Sequence, residues 1–98
     1  MSRVVLERAV FNDIDRITRH LIAHEANDLP GRIGEIFDAL DILAQHPLIG
    51  WLAATPWREL VIGRDARGYV ARYRYDRVDD SVYVVALRAQ REAGFHED

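Results

Sequence analysis

The sequence predicts an α+β fold, a two-layer β-α-α-β-β-β domain with an antiparallel sheet packed on a helical hairpin. Three observations carry that expectation. Two stretches in the first half, about 10–26 and 30–46, repeat apolar residues at helical spacing. Three stretches in the second half, 57–62, 69–75 and 82–88, alternate with period two. Clusters of Gly, Pro, Asn and Asp separate these runs. A chain of 98 residues has room for one hydrophobic core, so 1–98 is expected to form a single domain.

The first strand is the β-branched run RVVLE at residues 3–7. In the first helix Val10, Ile14, Ile17 and Leu21 form the stripe, which Phe11 and Ile22 widen, and Asn12, Asp13 and Asp15 are expected near its start. Asn27, Asp28, Pro30 and Gly31 are the turn signals that end it. Ile33, Ile36, Phe37, Leu40 and Ala44 share one arc of the second helix, with Glu35, Asp38 and Asp41 pointing away. Ile42 falls off that arc, so it is either exposed or meets a second surface. His46-Pro47 closes the helix, and two amphipathic helices joined by a short loop pack antiparallel. Pro47, Gly50 and Pro56 break the next segment into a connection carrying Trp51, Leu52 and Trp57. The three alternating runs that follow make a meander with turns at 63–68 and 76–81, and 90–98 is a polar tail.

Composition narrows the function classes. There is no cysteine, which excludes disulfides and thiolate metal sites and suits a reducing compartment. No apolar run approaches the ~20 residues of a membrane span, and the first residues carry acids where a signal peptide has its apolar stretch. A cytoplasmic location without membrane contact is expected. All 13 basic residues other than histidine are arginine. Residues 1–50 hold five arginines against eight acids, a charge of −3, whereas 58–91 hold eight against five, a charge of +3. The second half therefore contains a basic block suited to an anionic partner.

His20 and His24 stand four apart on the first helix, a spacing that can serve a metal, but no glutamate lies between them to act as a base. They are read as structural or surface residues, and neither a metal nor a cofactor is expected. Tyr69, Tyr73 and Tyr75 share one parity of their strand, with Tyr83 on the next; packing and base stacking both use such a pattern. Arg72 and Arg74 take the opposite parity. Arg58 lies on the neighbouring strand, Arg88 closes the third run and Arg91 enters the tail. A guanidinium fork grips phosphate or carboxylate bidentately, so these arginines are either an anion-gripping surface or surface partners of Glu59, Asp65, Asp76 and Asp79.

At four stretches, the hairpin ending AQHPLIG, then WRELVIG, RGYVARYRYD and VYVVALRAQREAGF, the chain resembles the RelE/ParE family of toxins from bacterial type II toxin–antitoxin systems. The resemblance spans most of the chain in the family's order and implies the family's fold. It also implies a plasmid-stabilising or growth-inhibiting toxin, neutralised by a cognate antitoxin whose carboxy-terminal helix or extended arm wraps it. The target is then either ribosome-bound messenger RNA, cut without a metal by RelE-like members, or DNA gyrase, poisoned by ParE-like members.

RelE-like cleavage uses basic side chains to activate the 2′-hydroxyl, steady the phosphate and protonate the leaving oxygen, often with a tail tyrosine. On the resemblance, Arg58 can fill a basic position of the second strand and Arg91 matches one in the Arg-Glu tail. Val70 and Ala89 stand where further arginines would be, and Phe95 replaces the tyrosine. A nuclease would have to be rebuilt from Arg58, Arg72, Arg91 and His96. The simpler expectation is a ParE-like gyrase inhibitor without chemistry. Its recognition surface for antitoxin or target would comprise Arg58, Arg72, Arg74, Arg88, Arg91 and Phe95. The alternatives are the ribosome-dependent endoribonuclease and an inactive relative that serves only as an antitoxin-binding or operator-regulating partner.

Overall fold

The computed structural model of the chain describes residues 1–63, 67–92, 94 and 95. The elements run β1 (Arg3–Leu6), α1 (Arg8–Ala23), α2 (Leu29–Ile42), β2 (Trp51–Ala54), β3 (Trp57–Ile62), β4 (Tyr69–Asp76) and β5 (Ser81–Ala89). They form one five-stranded sheet in the order β1-β5-β4-β3-β2. The expected meander is β3-β4-β5, antiparallel throughout, and β1 closes the far edge parallel to β5. The α+β class with the sheet on a helical hairpin is therefore observed. No helix among the described residues is long and apolar enough to cross a membrane.

One strand was not expected. Residues 51–54, read as connection, pair with β3 as an edge strand. All four of its residues are exposed, so it has no buried parity to show in the sequence.

Helix α1 starts at Arg8, two residues earlier than its apolar stripe suggests. That start moves Asp13 out of the first turn and onto the inward face beside Val10, Ile17 and Leu21, where it is 2% exposed. Phe11 and Ile22 remain exposed instead of widening the stripe. Helix α2 begins with a local device: the Asp28 carboxylate accepts the Gly31 N–H at 3.3 Å, with Pro30 in the first turn. A Cβ on Gly31 would fall 2.1 Å from that carboxylate, so any other residue there would push the Asp28 side chain aside. Ile36 and Leu40 are buried and Ile42 is exposed.

The core lies between the helices and one face of the sheet. Tyr69, Ala71 and Tyr73 of β4 meet Val82, Val84 and Leu87 of β5 under Val10, Ile17, Ile36 and Leu40. Burial of each large apolar side chain in such a layer contributes about 1.5–3 kcal/mol. Gly50 passes so close to the sheet that a Cβ would stand 2.8 Å from Tyr73 and from the Glu59 carbonyl. Its N–H donates to the Tyr73 phenol at 2.8 Å, and burial pushes that phenol's pKa above its ordinary value.

The buried carboxylate of Asp13 ties helix to sheet. It accepts the Leu87 N–H at 2.8 Å and pairs with Arg16 at 2.7 Å. Arg16 reaches on to Glu92 at 3.1 Å, and Glu92 accepts the Ala89 N–H at 3.2 Å. Helix, last strand and tail are thus joined through two carboxylates and one guanidinium.

Candidate recognition surface

Strand alternation leaves the sheet with one open face, away from the helices. Register places Arg72 between Glu59 and Ala86, Val70 between Val61 and Arg88, and Arg74 opposite Tyr83. A register shift opposite Arg72 and Tyr73 lies on β5 and leaves the parity of β4 intact, so Arg72 and Arg74 project away from Tyr69 and Tyr73 as expected. Of the four tyrosines, Tyr69, Tyr73 and Tyr75 share the helix-side parity, and Tyr83 lies on the open face.

Each open-face arginine already has partners. Arg72 pairs with Glu59 at 3.2 Å, and its guanidinium lies 4.4 Å from the centre of the Phe95 ring. Arg88 lies 5.0 Å from the same ring and donates to the carbonyls of Ala89, Gln90 and Glu92 at 3.2–3.3 Å. Arg74 stacks on Tyr83 at 4.3 Å. Cations so placed on aromatic rings gain about 0.5–2 kcal/mol. Among the described residues, the buried Nε atoms of Arg72 and Arg88 have no hydrogen-bond partner. Such an orphaned donor costs about 1–3 kcal/mol and favours an acceptor arriving from outside. Trp51 at the β2 edge is 77% exposed.

Two residues nominated with this set lie elsewhere. Arg58 pairs in register with Tyr73, which puts it on the opposite face from Arg72. There it donates to the carbonyls of Leu48 at 3.2 Å and Gly50 at 3.0 Å, a support for the loop that leads into β2. Arg91 lines a cleft on the helix side of the sheet. Of Arg58, Arg72, Arg74, Arg88, Arg91 and Phe95, the structure therefore brings together Arg72, Arg74, Arg88 and Phe95 and leaves Arg58 and Arg91 on the other side of the sheet. The nuclease set of Arg58, Arg72 and Arg91 is likewise dispersed, and its fourth member, His96, lies outside the described residues. Glu59, Tyr83 and Trp51 belong to the open face although sequence reasoning did not assign them to it. Period two places Glu59 there only together with the register that sets it opposite Arg72.

His20 and His24 stack with ring centres 4.1 Å apart, and the His24 Nδ1 lies 2.9 Å from the His20 carbonyl oxygen. No group of three or more His, Asp or Glu side chains among the described residues could hold a metal ion.

At the open face's other end, the β4–β5 turn concentrates carboxylates. Asp80 takes hydrogen bonds from Ser2 at 2.6 Å and Tyr75 at 2.7 Å, and these hold its pKa below the usual carboxylate value. Asp79 is lowered in the same way, chiefly by the Tyr83 hydroxyl, with Arg3 adding an ion pair at 3.1 Å.

A scan against protein-family models finds no match to this chain, and a search of the curated proteins finds none similar to it.

Proposed function

We propose that this chain is the toxin of a type II toxin–antitoxin pair, of the ParE-like kind, held inactive by an acidic segment of its antitoxin and acting on DNA gyrase by binding alone. The observation that supports this reading is the open sheet face. It gathers Arg72, Arg74 and Arg88 around Phe95 and Tyr83, with two buried guanidinium donors unpartnered among the described residues. Carboxylates of a partner's extended or helical segment would replace Glu59 on Arg72 and lie along the same arginine row. The dispersal of Arg58, Arg72 and Arg91 over separate faces favours a binding protein over a nuclease rebuilt from those side chains.

The test is purified protein, freed of any partner, incubated with gyrase and supercoiled plasmid, beside a tube of translating ribosomes and a defined message. Inhibited supercoiling or trapped cleaved DNA, with the message intact, is the expected result. Cut message with gyrase untouched would replace this reading with the ribosome-dependent endoribonuclease. Charge reversal at Arg72 and Arg74 is expected to weaken both antitoxin binding and gyrase inhibition, and unchanged values would remove the open face from the mechanism.

A further inference from the structure

The helix side of the sheet carries a second concentration of arginine, in a cleft of about 770 Å³. Its walls come from the end of α1, the start of α2, the residues entering β4 and the tail after β5. That volume falls within the range of about 300–1,000 Å³ typical of small-ligand sites. Ile17 and Leu21 supply an apolar floor, and the stacked imidazoles of His20 and His24 line one side.

Among the described residues, four arginines, Arg16, Arg32, Arg67 and Arg91, line this cleft with one carboxylate, Glu92, while Glu35 lies close enough to Tyr69 to help raise its pKa. Arg16 is already neutralised by Asp13 and Glu92. Among the described residues Arg32, Arg67 and Arg91 make no ion pair. Like charges converging in a concave wall raise the local potential and concentrate anions. The arrangement is held by backbone: the Gln90 N–H donates to the Gly68 carbonyl at 3.0 Å. Arg67 and Arg91 each stand one residue beyond that bridge, so the same contact holds both at one end of the sheet. Gly68 is required at the bridge, because a Cβ would stand 2.7 Å from the Ile62 carbonyl. Tyr69 adds a neutral donor, since burial pushes its pKa above the ordinary value while Arg32 beside it pulls the other way.

We infer that this cleft binds a nucleotide-sized organic phosphate, with the phosphate on Arg32, Arg67 and Arg91 and the flat ring over the apolar floor and the imidazole pair. Guanidinium forks match phosphate oxygens bidentately, and an arginine or histidine plane accepts a stacked base. The inference stands apart from the toxin reading: the cleft and the open face lie on opposite sides of the sheet. A free nucleotide and the 5′-phosphorylated end of a strand share this chemistry.

The experiment is calorimetric titration of the full chain with ADP, with pyrophosphate, with a short 5′-phosphorylated oligonucleotide and with a short polyglutamate peptide. Saturable binding of ADP or the oligonucleotide, tighter than that of pyrophosphate, is expected. The tighter of the two identifies the source as free nucleotide or strand end. Arg67→Ala combined with Arg91→Ala, both exposed side chains, is expected to weaken binding roughly tenfold or more with the fold intact by circular dichroism. Arg77→Ala, exposed in the β4–β5 turn, is expected to change nothing. Absence of saturable binding, pyrophosphate binding as tightly as ADP, displacement by the polyglutamate peptide, or an equal loss in Arg77→Ala would each overturn the inference. No gyrase, ribosome or antitoxin is present in this assay, so its failure leaves the proposed function standing.

Discussion

The two sides of this sheet use the same residue type in opposite electrostatic states. On the open face Arg72, Arg74 and Arg88 are each met by a carboxylate, an aromatic ring or a row of carbonyls. In the helix-side cleft only Arg16 has a carboxylate, and Arg32, Arg67 and Arg91 have none among the described residues. An arginine is therefore not a site by being charged, and what surrounds it decides what it does. On the open face a partner must displace Glu59 and Phe95 before it gains the guanidiniums. In the cleft an anion meets three arginines without an ion-pair partner among the described residues, with the Tyr69 hydroxyl beside Arg32.

The comparison breaks most visibly at its hinge, Asp13, whose carboxylate keeps Arg16 apart from the unpaired set. Asp13→Ala leaves the Leu87 N–H without its acceptor and a half-buried guanidinium with one partner fewer. A loss of about 3 kcal/mol in unfolding free energy is expected from urea denaturation, the size of breaking a buried charged contact. Phe95→Ala tests the other side. Removing the ring from both Arg72 and Arg88 is expected to cost about 1 kcal/mol and to expose their Nε donors to solvent exchange. No change in amide or guanidinium exchange would mean that the ring does not cover them.

Acid pH sharpens the contrast at the β4–β5 turn. Asp79 and Asp80 are depressed below the ordinary carboxylate value of 3.8, so they contribute stability above that value and lose it as pH falls through their lower folded values. Unfolding free energy is expected to decline below about pH 4, and Asp79→Asn with Asp80→Asn is expected to flatten that limb of the curve. The smallest effect belongs to the cleft. Arg67→Ala with Arg91→Ala should change stability by less than about 0.5 kcal/mol, with any gain confined to low salt, because like charges are being removed. A loss of several times that would show that these side chains hold the fold together.

Much of the fold was legible because periodicity records burial. The runs at 57–62, 69–75 and 82–88 became strands with nearly those limits, since one face of each packs on helices. Strand β2 was illegible because both its faces are exposed, and Trp51 and Leu52 alternate with nothing. Parity within β4 separated Arg72 and Arg74 from the tyrosines correctly. Parity cannot relate one strand to the next, however, and the pairing of Arg58 with Tyr73 put Arg58 on the other face. Asp13 looked like a residue of the first helical turn until the helix began at Arg8. The cleft left no local signal, since Arg16, Arg32, Arg67 and Arg91 come from four separate segments that only the packing brings together.

The most direct test of the contrast is nitrogen-15 NMR of the arginine side chains during titration with ADP. Shifts confined to Arg32, Arg67 and Arg91, with Arg72, Arg74 and Arg88 unmoved, are the expected result. Shifts centred on Arg72, Arg74 and Arg88 instead would contradict it, and would mean that the open face, despite its internal partners, is where this protein meets organic phosphates.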